Sequence, residues 1–445
     1  MKQLSYILLF ILFVGCSDDY LDVLPKGQAI PENTDQLNEM LNATMEVNYH
    51  GGNFNYSTDQ VWGAPFLMSA INIAQYTWAD FPFDEVTDDP NWNACYKAIG
   101  ISNYVLENID AAKIGNQYDP VETKARALFI RANAYFMLIN SYAKHYNETT
   151  ASSDLGVPIL LTYDMTSKEP RSTVEQVYQR IFNDLEACID GLPEDVEFRS
   201  IQSKPAVNAL YARIYLYQGK FDLAANYALK AIDGYDFLHD YNTLVLNNPA
   251  MPLFGIQGFN ASAINNKESI YGHTANEGAN IFYDTDALNE YEDSDFRKTL
   301  FIQNPELIGM PPLGHLMIVN MGYSADAALT VPEAILNYCE ALMMQNSPNE
   351  TLALEYLNKL RDMRYVSGTT HDDSDVLASV KRERKLELRY SALRWWDMKR
   401  WGLSVTREFG GETYTLTAQS PNYVFAIPPK VMQFNELLEQ NPRGL

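Results

Sequence analysis

The sequence predicts a mainly α fold of tetratricopeptide-like helix pairs, with long loops and a few short strands. Three observations support this fold class. Apolar residues recur at three- and four-residue spacing over nine stretches, as on the buried faces of amphipathic helices. Two pairs of these stretches carry small and bulky residues at matching offsets. Two further segments, residues 47–91 and 242–330, carry no helical period.

The N-terminal segment, residues 1–15, is predicted to be a lipoprotein signal peptide. A single lysine precedes an apolar run over residues 7–14, which has the length of a signal-peptide core and is too short to span a bilayer. Gly15 and Cys16 resemble a bacterial lipobox, in which the thiol is acylated and the chain is cleaved before it. We expect acylation, such as palmitate, at Cys16 and a lipidated tether over residues 16–30. An ordinary cleaved signal peptide is the alternative.

The segment after the predicted lipidation site indicates where the protein resides. Asp18 and Asp19 resemble the acidic export tag of surface lipoproteins. No later segment approaches eighteen consecutive apolar residues, so no transmembrane helix is predicted besides the lipid anchor. The net charge of −24 disfavours nucleic acid as a partner, because an acidic surface repels phosphate backbones. The expected location is the cell outer membrane, lipid-anchored and surface-exposed.

The remaining chain, residues 31–445, is predicted to form a single α domain. Its clearest helix covers residues 120–146, where Ala125, Leu128 and Ala132 lie on one apolar stripe. Strand-like alternation is limited to residues 413–416 and 423–427. The other predicted helices cover residues 33–46, 92–112, 173–190, 204–217, 221–233, 332–345, 350–365 and 376–400.

Two of the predicted helix pairs have the contact pattern of a tetratricopeptide repeat. Small residues at fixed offsets let two helices approach closely, while larger residues fill the groove to the next repeat. A third helix repeats only the opening step, Ala132 then Tyr135, without a matching partner helix. The pattern predicts a helical scaffold but not a complete superhelix. The contact positions are Ala212, Tyr215, Ala224 and Ala231 in the first pair, and Ala341, Met344, Ala353 and Leu360 in the second.

Two charged segments near the C-terminus are predicted to be structural. The alternating charges of residues 381–389 predict a solvated helix face with ion pairs between residues four positions apart. In residues 394–401, arginines can pair with carboxylates or stack on the indole rings, so this segment is predicted to pack structurally.

Several segments together resemble the SusD/RagB family of outer-membrane nutrient-binding lipoproteins, over essentially all of the mature chain. Their order and spacing together are specific. They are Tyr20-Leu21-Asp22; Trp92-Asn93-Ala94-Cys95-Tyr96-Lys97-Ala98-Ile99 leading to Asn103; Ala125-Arg126-Ala127-Leu128-Phe129-Ile130-Arg131-Ala132 with Tyr135-Phe136; Glu333-Ala334-Ile335-Leu336 with Glu340-Ala341; Arg382-Glu383-Arg384-Lys385-Leu386-Glu387-Leu388 with Arg394-Trp395-Trp396-Asp397-Met398-Lys399-Arg400-Trp401-Gly402; and Ile427-Pro428-Pro429 followed by Asn435 and Gln440-Asn441-Pro442.

This resemblance implies a SusD-like α domain with four tetratricopeptide-like helix pairs and a loop-rich ligand face. It also implies capture of glycans or peptides and a partner, a SusC-like TonB-dependent transporter, which the protein covers as a lid. The chain is shorter than many relatives, so the ligand-side insertions are expected to be trimmed.

Aromatic residues of the two long segments are the candidate ligand contacts, since long structureless loops are usually functional. Nine aromatic residues lie between positions 49 and 83, where the chain average of 12% predicts about four. Aromatic rings have flat apolar faces that suit the C–H faces of sugars. The alternative is that they pack the loop onto the helices. The nine are Tyr49, Phe54, Tyr56, Trp62, Phe66, Tyr76, Trp78, Phe81 and Phe83.

Five of the aromatic residues in these segments are the predicted ligand-binding residues. Trp62, Tyr76 and Trp78 are preferred because small and polar residues surround them, and Tyr283 and Tyr291 are candidates for the opposite wall. We expect cell-surface binding of an oligosaccharide and its delivery to the transporter. The alternatives are peptide capture by the same architecture and a tetratricopeptide adaptor for another protein.

Catalytic and metal-binding patterns are not found in the sequence. The six histidines stand alone, and neither a G-x-S-x-G elbow nor a phosphate-binding glycine loop is present. Cys95, Cys188 and Cys339 each fall in a helical pattern and are predicted to be small buried hydrophobes. We therefore expect no metal, no cofactor and no enzymatic activity.

Overall fold

The computed structural model describes residues 31–444, except for residues 46–54, 64–65, 165, 261–263, 273–281, 284–287, 311–316, 319–326 and 390. The predicted signal peptide and tether, including Cys16, lie outside the described residues. Thirteen α-helices lie within them: α1 (Thr34–Met45), α2 (Ala70–Tyr76), α3 (Pro90–Asn108), α4 (Pro120–Tyr142), α5 (Val174–Cys188), α6 (Lys204–Tyr217), α7 (Phe221–Gly234), α8 (Phe296–Leu300), α9 (Val331–Met344), α10 (Glu350–Asp362), α11 (Val376–Glu387), α12 (Ala392–Trp401) and α13 (Pro429–Phe434).

Short strands complete the described structure. They form a four-stranded sheet of order β1-β3-β5-β4, a pair of β2 with β6 and a hairpin of β7 with β8. The strand predicted at residues 413–416 is confirmed as part of β8, whereas the one predicted at 423–427 is wrong, since a 3₁₀ turn at Pro421–Tyr423 takes its start. The strands are β1 (Val61–Trp62), β2 (Ser269–Tyr271), β3 (Phe282–Tyr283), β4 (Ile302–Gln303), β5 (Met317–Ile318), β6 (Leu329–Thr330), β7 (Val405–Phe409) and β8 (Glu412–Leu416).

The mainly α fold class is confirmed, and the predicted helices differ from the observed ones mostly by a few residues at their ends. The exception is the stretch 376–400, which divides into α11 and α12. Helix α11 ends at Glu387, and Ser391 stands at the N-cap of α12. No described helix is both long enough and apolar enough to cross a bilayer.

The small contact positions of the two predicted repeats lie in the core, as expected. Helix α6 packs on α7, α7 on α9, and α9 on α10, which makes one continuous helical layer. Helix α4 does have a partner: it packs against both α3 and α5. The prediction for Met344 as a contact position is wrong, because Met344 is the last residue of α9 and is exposed rather than packed in a groove. The fully buried positions are Ala212, Ala224, Ala231, Ala341, Ala353 and Leu360.

Helix α4 shows how distant parts of the chain complete one element. Asp119 caps its N-terminus by accepting the amide of Val121 at 2.7 Å. The last four carbonyls of an α-helix have no partner within the helix, and cations are favoured beside them. Here all four are bonded. The donors are Lys399 Nζ to Asn140 and Ala143, the amide of Phe425 to Ser141, and the side chains of Arg171 and Asn441 to Tyr142.

The prediction of a solvated face over residues 381–389 is wrong. Glu383, Arg384 and Glu387 are all buried in the fold, where each has a charged partner from another element. Burying a charge costs free energy unless it is paired and hydrogen-bonded, so these side chains fold as a network. The prediction for residues 394–401 is confirmed, since Trp395 and Trp396 are fully buried.

Candidate functional site

The two long segments without helical period meet in the four-stranded sheet. Strand β1 comes from the first segment, and β3, β5 and β4 come from the second. Val61 pairs with Tyr283 and Trp62 with Phe282, so two of the predicted ligand residues, Trp62 and Tyr283, lie on neighbouring strands. We call the described residues of 47–91 and 242–330 the loop face. Tyr49 and Phe54 lie outside the described residues.

The first segment is held to the helices by a charged pair. Arg394 of α12 donates to both carboxylate oxygens of Asp59, at 2.8 and 2.5 Å. Burial alone would raise the pKa of Asp59, but the charge and hydrogen bonds of Arg394 hold that pKa below its ordinary value. The side-chain amide of Gln60 also donates to the carbonyl of Lys385 at 3.0 Å. These contacts fix the position of β1 directly after them.

The second segment is held by a larger buried network. Arg297 of α8 donates to Asp295 at 2.8 Å, to Glu383 at 2.6 Å and to Glu387 at 2.7 Å. Burial opposes the ionisation of Glu383, yet the arginines around it hold its pKa below the ordinary value. In the same network Arg364 bridges Glu387 and Glu268, which comes just before β2. The loop face is therefore fixed to α11 by ion pairs rather than by apolar packing alone.

Tyr76 and Trp78 line the interior instead of a binding surface, since each is only 3% exposed. The guanidinium of Arg407 lies 4.1 Å from the centroid of each ring and donates to the carbonyls of Tyr56 and Thr58. The indole N–H of Trp78 donates to the carbonyl of Ser57 at 2.9 Å. Their expected exposure is wrong. The partner that covers them is more than 300 residues away, so small polar neighbours gave a misleading signal.

Tyr291 is also buried. Its ring lies 4.6 Å from the guanidinium of Arg389, and it shares a small apolar cluster with Tyr56, Val61 and Tyr76. The structure thus brings Tyr76 and Tyr291 together, but as packing residues beneath the sheet. For Tyr283, the structure describes only the strand position.

Among the predicted ligand residues whose side chains the structure describes, Trp62 is the one that remains partly accessible. Like Leu67, Ile308 and Met310, it is partly buried, and all four side chains pack against the same apolar cluster. Phe66, four positions along, is 60% exposed.

Phe254 is a candidate that sequence reasoning missed. It is 57% exposed, and its turn is attached to the sheet because the amide of Leu253 donates to the side chain of Gln303 in β4 at 2.8 Å. The signal in the sequence is the turn Pro252-Leu253-Phe254-Gly255, in which Gly255 has φ 88°. An apolar ring at the tip of such a turn has no neighbours in sequence to cover it.

The candidate cysteines have structural roles in the fold. Cys95, Cys188 and Cys339 are free and buried, as predicted, and burial raises the pKa of each thiol. Among the described residues, no cluster of three His, Cys, Asp or Glu side chains could hold a metal ion. The loop face offers rings, amides and hydroxyls rather than an activated nucleophile.

Comparison with known proteins agrees with this architecture. A family model described as "Starch-binding associating with outer membrane" matches residues 19–216, and one described as "SusD family" matches residues 331–443. The SusD-like protein P2 of Formosa agariphila is 24% identical over 99% of each chain. A SusD superfamily protein from Bacteroides vulgatus superposes with a TM-score of 0.75 at 18% identity, over 92% of this chain and 99% of that one. A laminarin binding SusD-like protein gives a TM-score of 0.67 at 17% identity, over 92% and 99%.

Proposed function

Because the chain belongs to the SusD/RagB family, we propose that it binds an oligosaccharide at the cell surface and delivers it to a SusC-like TonB-dependent transporter. The observation that carries this proposal is a set of accessible aromatic rings on the loop face, which ion pairs hold to the helices. These rings belong to Trp62, Phe66 and Phe254. A structurally similar protein is described as laminarin-binding, which supports a glycan as the ligand class.

The geometry supports stacking as the main source of affinity. The backbone pairing of β1 with β3 and the ion pairs of Asp59 and Arg297 hold the rings before the ligand arrives. Such preorganisation reduces the entropy that binding must overcome. An open surface buries less of the ligand than a closed pocket, so we expect modest affinity and binding without chemical change.

The direct test is isothermal titration of the purified protein against a panel of oligosaccharides and peptides. We expect binding to at least one oligosaccharide and at least a tenfold loss of affinity in Trp62→Ala combined with Phe254→Ala. The matched control is Phe198→Ala, an equally exposed ring between α5 and α6. Binding to peptides alone would replace the glycan by the peptide alternative, and binding to neither would favour the protein adaptor.

The location and the transporter partner need separate tests. We propose that Cys16 carries the lipid and that residues 16–30 hold the domain away from the membrane. Metabolic labelling with a fatty-acid analogue should mark the wild type and leave Cys16→Ser unmarked. Co-purification of a TonB-dependent transporter from detergent-solubilised outer membranes is expected for the wild type. An unmarked wild type would contradict the anchor.

A further inference from the structure

A cleft of about 590 Å³ lies apart from the loop face, since none of its described lining residues falls within residues 47–91 or 242–330. It opens between the end of α4, residues 153–155, the end of α12 and the C-terminal segment 418–424. This volume is within the range of small-molecule sites. Its polar lining includes Lys144, His145, Ser153, Lys399, Gln419 and Ser420.

Lys399 gives this cleft its charge. Its Nζ donates to the carbonyls of Asn140 and Ala143, which uses two of the three ammonium hydrogens. Within the described ranges, no carboxylate lies within ion-pair distance of it, whereas the neighbouring Lys144 pairs with Asp154 at 2.7 Å. Burial without a carboxylate lowers the pKa of Lys399 to about 7. The carbonyls at the end of α4 stabilise this charge only in part, and an anion beside Nζ would stabilise it further.

The groups around Lys399 add no further net positive charge to the cleft. Burial, together with the charges of Lys399 and Arg400, lowers the pKa of His145 to about 3. Arg400 itself is paired with Glu340 and Asp397. The cleft therefore contains one cation without a carboxylate partner, the Lys144–Asp154 ion pair and neutral donors, in a protein whose net charge is −24.

We propose that this cleft binds the carboxylate of an acidic sugar, such as a uronic acid residue of an oligosaccharide. The carboxylate would accept the third hydrogen of Lys399, and the hydroxyl of Ser153 and the amide of Gln419 line the space where the sugar ring would lie. The inference that the ligand is negatively charged rests on the cleft alone. That it is a sugar rests on the proposed function.

Calorimetric titration of the purified protein with a trisaccharide of galacturonic acid, and with the neutral trisaccharide of galactose, tests the proposal. We expect the acidic sugar to bind at least tenfold more tightly than the neutral one. Lys399→Met should weaken that binding at least tenfold. Gln419→Glu should do the same, because it puts a negative charge on an exposed position of the lining. Lys359→Met, which removes a cation on α10, is the matched control and should change nothing.

The outcomes separate this site from the loop face. Trp62→Ala should leave the preference for the acidic sugar unchanged, so loss of glycan binding at the loop face does not decide this proposal. If Lys399→Met does not fold, as judged by circular dichroism, Gln419→Glu decides alone. Equal affinity for the two trisaccharides, or undiminished binding in Gln419→Glu, would overturn the proposal. Acetate binding as tightly as the acidic trisaccharide would overturn the assignment to a sugar.

Discussion

Arg297 and Glu387 form a buried ion pair of 2.7 Å between positions 90 residues apart in the chain. The pair joins the second segment of the loop face to helix α11. The same guanidinium also forms ion pairs with Asp295 and Glu383. These ion pairs fix the position of the loop face relative to the helices beneath it. This relationship leads to the first of four predictions.

Arg297→Met should destabilise the fold strongly. The change leaves three buried carboxylates facing one another, and removing one partner of a buried ion pair typically costs about 3–5 kcal/mol. Urea denaturation measures the loss as a change in midpoint at constant slope. The matched control is Lys359→Met, since Lys359 pairs with Glu355 at the surface, where such pairs contribute about 0–1 kcal/mol. A loss below about 1 kcal/mol for Arg297→Met would contradict the network.

Trp78→Ala and Trp62→Ala should have opposite consequences. Trp78 is buried beneath Arg407, so its removal leaves a cavity and should cost about 3–5 kcal/mol of unfolding free energy. Trp62 is partly accessible, so its removal should reduce glycan affinity while stability changes less. Thermal denaturation and calorimetry on the same two variants provide the comparison. A stable Trp78→Ala with impaired binding would reverse the assignment.

Arg407→Lys should loosen the first segment of the loop face. A guanidinium can stack between Tyr76 and Trp78 while donating to two carbonyls, but an ammonium has neither the planar faces nor the fork of donors. Hydrogen exchange of the amides in residues 55–62 and 75–78 should become faster. Arg382→Lys, a change at an exposed surface pair, is the control and should leave these rates unchanged. Protection equal to the wild type would rule out this role for Arg407.

His145 should make the protein less stable in mild acid. Its pKa is about 3 in the fold, against 6.5 for the free side chain, so between these values the unfolded chain binds the additional proton. Its contribution to stability is therefore complete above pH 6.5 and is lost as the pH falls towards 3. We expect the difference in unfolding free energy between wild type and His145→Gln to change by about 1.4 kcal/mol per pH unit between pH 4 and 6. A difference that is independent of pH would contradict this role of His145.

The sequence predicted the helices well because the apolar spacing that indicates a helix is a local property of the sequence. Apolar spacing within one turn indicates a buried stripe regardless of what covers it, and the alanines of α6, α7 and α9 are buried as expected. The division between α11 and α12 was missed, because the apolar and charged periods continue across it. Only Ser391, a typical N-cap residue, marked the break.

The site was harder to predict because its determinants are distant in sequence. The charges of residues 381–389 resemble a solvated helix, and nothing near them reveals partners such as Arg297 or Arg364. The same reason explains the aromatic residues. Whether a ring in a loop is covered depends on what folds over it, and Arg407 covers Tyr76 and Trp78 from the far end of the chain.

The end of helix α4 has a consequence for biogenesis. Its last carbonyls acquire donors from Lys399, Phe425 and Asn441, which are synthesised some 250 to 300 residues later. A growing chain therefore cannot close this part of its core until residues 399–441 have been synthesised. A protein truncated before residue 424 would lack the segment that completes the core.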